Sequence, residues 1–188
     1  MRRFRQLVPL ALFALAAGGC GYNRIQSLDE QVNKAQGQIA AQLQRRADLI
    51  PNLVETVKGY AKQETTIFTE VANARAKLAG SVQSGNLEAM AEANQALNAP
   101  LGRLLAISEN YPQLKSDANF RALQDELTGT ENRIATARQD YNEAVNGFNS
   151  YIRTFPYNLT AKMFGHGTPR PYFEAKAAAE EPPAVKFN

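Results

Sequence analysis

One stretch constrains the fold of this 188-residue chain more than any other. From Phe120, positions 120, 123, 127, 130, 134, 137, 141, 144, 148, 151 and 155 step alternately by three and four residues. They read Phe, Leu, Leu, Thr, Ile, Ala, Tyr, Ala, Phe, Tyr and Phe, with Thr130 the one clearly polar member. That spacing lays an apolar seam along one face of a helix packed in coiled-coil fashion. A helix over this span is roughly 50 Å long. Asp117 is placed to cap its start and Pro156 to end it.

The first half of the chain carries the same pattern in two pieces. Ile25, Leu28, Val32, Ala35 and Ile39 form one seam. Ile50, Leu53, Val57, Tyr60, Ile67, Val71, Ala74 and Leu78 form another, with Glu64 in register. Between them the expected seam positions hold Gln42 and Arg46, and Pro51 follows. A residue before proline resists helical geometry, so a chain reversal is expected at Asp48–Pro51, with Pro51 in the first turn of the next helix. Gly80 to Gly85 reads as a loop, and Asn86 or Ser84 caps a third helix. Its apolar positions are Leu87, Met90, Ala91, Leu97, Leu101, Leu104 and Ile107, and Pro100 kinks it. Short connections make neighbours antiparallel, which predicts an all-α fold: an up-down four-helix bundle with long helices. The alternative is an elongated three-helix bundle with a kink at Pro51.

The N-terminus addresses location. Arg2, Arg3 and Arg5 precede the uncharged, mostly apolar run Leu7–Ala17, and Ala17-Gly18-Gly19 leads into Cys20, the only cysteine. This is the layout of a secretory signal, and the run is about half the roughly 20 residues that a spanning helix needs. A cysteine directly after small residues points to a lipoprotein signal over residues 1–19, with Cys20 acylated as the first mature residue. Acyl chains anchor by their buried methylenes, and more than one is needed for stable attachment. Two alternatives stand: cleavage after Ala14-Leu15-Ala16, which releases a free protein, and an uncleaved N-terminal membrane segment. Gly21, rather than Asp, follows the cysteine, which leans toward the outer membrane in an organism with two membranes.

Removing the signal changes the charge argument. The chain holds 21 Lys+Arg against 18 Asp+Glu, and without the three leading arginines it balances 18 against 18. A nucleic-acid binder needs a basic face to displace phosphate counterions, so that class is excluded. With Cys20 as an anchor, no cysteine is left for a disulfide. The fold rests on its packed core.

The run from Gln44 to Tyr60 (QRRADLIPNLVETVKGY) resembles the signature of the LemA family. So do Ser108 to Lys115 (SENYPQLK) and Thr130 to Ile134 (TENRI), and Tyr141-Asn142 and Phe155-Pro156 fall where that family has them. The likeness runs from about Gly21 to Ala175. It implies a bacterial, membrane-attached helical bundle facing away from the cytoplasm, and it brings no assigned catalytic residues. Members typically carry one N-terminal transmembrane segment, whereas here the apolar run ends in Cys20.

The chemistry of the remaining residues is spare. His166, the sole histidine, lies in Gly165-His166-Gly167 and reads as a solvated loop residue. A bundle metal site wants several converging ligands, commonly with a Glu-x-x-His pair, and none exists here. No nucleophile elbow and no Gly-rich phosphate loop occur. The expectation is no enzyme, no cofactor, no metal and no nucleic-acid partner. Arg45, Arg46 and Asp48 form the one polar constellation at an expected helix end. They could clamp an anion through paired guanidinium hydrogen bonds, or simply neutralise the helix dipole while Asp48 caps the next helix. Glu64 and Glu131-Asn132-Arg133 are candidates for a polar layer that fixes register.

Residues 20–165 are thus expected to form the bundle and 166–188 an extended or disordered tail. After Phe155, Asn158 to Phe164 predicts a short helix folded back on the bundle, Thr168 to Phe173 an extended segment, and Ala177 to Asn188 disorder. Two functions remain: a lipid-anchored envelope scaffold that holds protein partners, or an envelope ligand carrier or enzyme using the Arg45/Arg46 end. A pocket lined by Arg45, Arg46 and Glu64 would favour the second.

Overall fold

The computed structural model describes residues 2–173, with side chains from Gly21 onward. Among these the protein is all-helical: α1 (Arg2–Tyr60), α2 (Thr65–Ser84), α3 (Leu87–Asn110), α4 (Pro112–Ser116), α5 (Ala118–Arg153) and α6 (Tyr157–Met163). No helix among the described residues is long and apolar enough to cross a membrane.

Helix α5 starts where its cap predicts. The Phe120 N–H donates to Asp117 Oδ1 at 2.9 Å, satisfying one of the free donors of the first turn. Phe120, Leu127, Thr130, Ile134, Ala137 and Tyr141 are buried, as the seam requires. Beyond Tyr141 the buried positions become Val145, Phe148 and Ile152. Phe155, expected on the seam, is 75% exposed. The shift from Ala144 and Tyr151 to Val145 and Ile152 is geometric, since a 3.6-residue helix drifts about 20° per heptad against a strict 3.5 repeat, whereas Phe155 lies past Arg153, where α5 ends.

The same drift corrects the expected reversal at Asp48–Pro51. Helix α1 runs straight through this stretch. Its buried face steps from Ala35 to Ile39, Leu43 and Ala47, then to Ile50, Val54, Val57 and Ala61. Steps of four carry the seam past Gln42, so no apolar register is lost. Pro51 lacks an N–H and leaves the carbonyl of Ala47, four residues earlier, without its helical donor. Arg75 of α2 supplies one, its Nε–H donating to Ala47 O at 2.9 Å. The proline is tolerated because a neighbouring helix completes the backbone. Asp48 therefore caps nothing; it lies mid-helix, exposed, and accepts from Gln44 Nε2 at 2.8 Å.

The chain turns instead after Tyr60, where Ala61 N–H donates to Val57 O at 2.9 Å and Glu64 N–H to Ala61 O at 3.2 Å. Glu64 sits in this turn rather than on a seam. Helix α2 also absorbs Gly80 to Ser84, expected as loop, so only Gly85 and Asn86 connect it to α3. Gly85 has φ 67°, a left-handed helix end suited to a residue without Cβ. Asn86 caps α3 by accepting from Ala89 N–H at 2.9 Å, and α3 continues past Pro100 to Asn110.

Helices α1 and α5 lie antiparallel. Tyr60 donates to Asp117 Oδ2 at one end of the pair, and Arg45 donates to Glu126 along its length. Helices α2 and α3 pack on each other and on the later part of α1: Gln36 Nε2 reaches Gly85 O, and Arg103 pairs with Glu70. Nearer the N-terminus, α6 and the segment after it take their place against α1 and α5.

His166 corrects the expectation of a solvated loop residue. It is half-buried, its Nε2 lies 2.8 Å from Gln26 Nε2, and its ring stands edge-on to Phe148 at 6.4 Å. The extended segment after it is tied down as well. Arg170 donates through Nη2 to Asp29 Oδ1 at 2.7 Å, and Tyr141 donates to Pro171 O at 3.0 Å. Phe173 N–H donates to Asn142 Oδ1 at 2.8 Å. The disorder expected for Ala177 to Asn188 lies outside the described residues.

Candidate functional site

Arg46 sits in the buried seam of α1, one position from Ala47, with its side chain 6% exposed. A buried guanidinium needs its donors satisfied. Its Nη1 donates to Asn94 Oδ1 at 2.5 Å and pairs with Glu131 Oε2 at 2.6 Å. Its Nη2 donates to Asn98 Oδ1 at 2.8 Å. Three helices, α1, α3 and α5, are thus tied at one charged point. Burial pushes the Arg46 guanidinium below its ordinary value; Glu131 pulls it back up, and Arg138 adds to the lowering.

Over this tie opens a groove of about 780 Å³. Leu87, Ala91, Asn94 and Asn98 of α3 form one wall, Glu131 and Arg138 of α5 another, and Pro171, Tyr172 and Phe173 close the end. The Arg138 guanidinium lies 4.7 Å from the Phe173 ring centroid, a cation–π contact. Burial lowers its pKa as well, and Glu131 opposes the shift. Its Nε is buried with no hydrogen-bond partner among the described residues. Glu88 and Glu92 complete a lining of mixed charge. Among the described residues there is no group of His, Cys, Asp and Glu that could hold a metal.

The expected constellation does not assemble. Successive residues on a helix point about 100° apart, and Arg45 turns outward to pair with Glu126 at 2.6 Å while Arg46 turns in. Glu64 is distant in the turn before α2 and joins neither. Of the expected polar layer, Glu131 reaches Arg46, whereas Arg133 pairs with Glu126 at 3.1 Å and Asn132 is exposed. The lipidation expectation falls on Cys20, whose side chain lies outside the described residues. Sequence reasoning missed Asn94, Asn98, Arg138 and Phe173. For Asn94 a signal existed: the apolar face of α3 steps from Met90 to Leu97, and the skipped position between them is Asn94, only 2% exposed.

The fold and the tie together define an all-helical protein whose longest helix is pinned to its neighbours by a buried arginine and begins in an apolar run. The two stretches joined by the Arg46–Glu131 pair are those of the sequence signature. The chain belongs to the LemA family, whose sequence profile matches residues 35–187. Among its relatives, magnetosome protein MamQ 2 of Paramagnetospirillum magneticum is 28% identical over 186 residues, covering 86% of this chain and 67% of that protein. Magnetosome protein MamQ of Magnetospirillum gryphiswaldense is 26% identical over the same shares. Protein LemA of Metamycoplasma hominis is 24% identical over 140 residues, covering 74% of this chain and 63% of its own length.

Proposed function

We propose that this protein is a membrane-attached, non-catalytic interaction module of the cell envelope, held at its N-terminus and facing away from the cytoplasm. The observation that carries this reading is continuity. Cys20, the proposed lipid anchor, and the apolar run Leu7–Ala17, which serves only the alternative spanning anchor, both lie on the same helix α1 as the spine of the body. Whatever retains that end retains the helices packed on it. Membership of the LemA family supports the attachment. In this reading α1, α2, α3 and α5 act as one antiparallel up-down bundle, a stiff platform for protein partners. Cys20 is the lipid anchor, and an outer-membrane lipoprotein results where the organism has two membranes. The alternative anchor is a single N-terminal transmembrane segment.

The test is metabolic labelling with a fatty acid, followed by fractionation. The wild-type chain should take the label and sediment with membranes, and Cys20→Ser should lose both. Loss of label with retained sedimentation would favour the spanning segment. A mature, unlipidated N-terminus at residue 15 or 17 by mass spectrometry would end the lipoprotein reading.

The groove favours a second reading, an envelope ligand-binding protein, because it is a cleft of about 780 Å³ lined by charged, amide and aromatic side chains. A photocrosslinker at the exposed groove residue Gln95 separates the two. Protein adducts support the platform, and small-molecule adducts the carrier.

A further inference from the structure

Large apolar side chains are exposed at one end of the molecule. Phe155 is 75% exposed, Leu159 60%, Met163 73% and Phe164 49%. Leu159 and Met163 stand four residues apart on α6, which places them on one face of that helix, while Ala161 on the other side is buried against the body. Singly exposed apolar residues are ordinary, but four within the ten residues 155–164, two of them on one helix face, make a candidate interaction site.

The position of the patch identifies what covers it. Helix α6 lies directly against the start of the described side chains of α1. A Cβ on Gly21 would come within 2.8 Å of Tyr157 Cδ1, and the Tyr22 and Phe164 rings are 4.7 Å apart. Gly21 directly follows Cys20, the proposed lipid anchor, and lies four residues, roughly 6 Å along a helix, from Ala17, the end of the run that serves the alternative anchor. The patch thus sits within about one turn of the segment that meets the membrane. The exposed charges flanking it in sequence are basic, Arg24, Arg153 and Lys162; residues 21–28 and 150–173 contain no Asp or Glu, and Asp29, the next carboxylate, is paired with Arg170. Apolar side chains flanked by cations and free of carboxylates are what an anionic lipid surface accommodates.

We propose that Phe155, Leu159, Met163 and Phe164 form a second membrane contact, inserted into the headgroup region of the bilayer from which α1 emerges. This rests on the N-terminal attachment proposed above and adds to it an orientation. The body stands with α6 on the lipid and the Tyr60–Asp117 end farthest away.

The chain contains no tryptophan, so a single introduced one is a clean probe. Full-length L159W and, as a control, Q63W in the exposed turn before α2 would be reconstituted into vesicles of phosphatidylcholine and phosphatidylglycerol, with and without brominated acyl chains. Both should float with the vesicles. The L159W emission should be blue-shifted and cut roughly in half by the brominated lipid, as for a side chain 5–10 Å into the interface, while Q63W should be unaffected. Flotation with L159W solvent-exposed and unquenched would overturn the contact and leave the attachment standing. A blue-shifted but unquenched L159W would also overturn it, because the patch would then be covered by protein. Failure to float would remove the attachment and the contact together.

Discussion

Arg46 and Arg45 are adjacent in sequence and opposite in consequence. One is enclosed by Asn94, Asn98 and Glu131, and the other is a solvent-facing partner of Glu126. Exposed pairs of the second kind contribute little, typically under about 1 kcal/mol. The more informative residue is Pro51. Its missing N–H is compensated by Arg75, so the two positions should be coupled. Arg75→Ala in the native background strands a buried carbonyl, which costs about 1–3 kcal/mol. In a Pro51→Ala background the helix supplies its own donor to Ala47, and Arg75→Ala should then be nearly silent. Urea denaturation of the four proteins gives the coupling energy directly. Additive effects would mean that the carbonyl of Ala47 is satisfied by some other route.

At the scale of one element, α5 holds the longest uninterrupted buried face after α1. Phe148 is 1% exposed, next to His166, while Asn146 faces outward. Truncating a buried Phe to Ala removes transfer free energy and leaves a cavity, typically about 3–5 kcal/mol. That is a large part of the roughly 5–15 kcal/mol that keeps a domain folded. Phe148→Ala should therefore lower the melting temperature sharply, and Asn146→Ala should hardly move it. Equal, mild effects would show that the face of α5 under the returning segment is loosely packed.

Across the whole molecule the packing is uneven. The later half of α1 is enclosed by α2, α3 and α5, whereas its first described turns rest on α5, α6 and residues 165–173. Arg170 is the strap there, bridging Asp29 of α1 and, through its backbone N–H, Asn149 of α5 at 2.8 Å. Arg170→Ala removes a partly exposed charged bond worth roughly 1 kcal/mol, so global stability should change little. Its effect should be local. Amide hydrogen exchange is expected to accelerate at residues 21–35 and 140–153 and to stay unchanged at 43–60, because cooperative units open separately when few contacts join them. Uniform acceleration would show that both halves unfold as one unit.

Helix content, the Asp117 and Asn86 caps and most of the α5 seam were legible in the chain because they depend on neighbours three or four residues away. The signature stretches that place the chain in the LemA family were legible too. The path of α1 was not. From local rules Pro51 ends a helix, and only Arg75, 24 residues on and carried by α2, completes the backbone that lets α1 continue. The partners of Arg46 were hidden for the same reason, since Asn94 and Glu131 reach it from two other helices, and so was the docking of His166 on Gln26 and Phe148. Periodicity specifies which face of a helix is buried; which polar groups meet there is decided when the helices pack, because a charge buried among them survives only where partners from several elements converge.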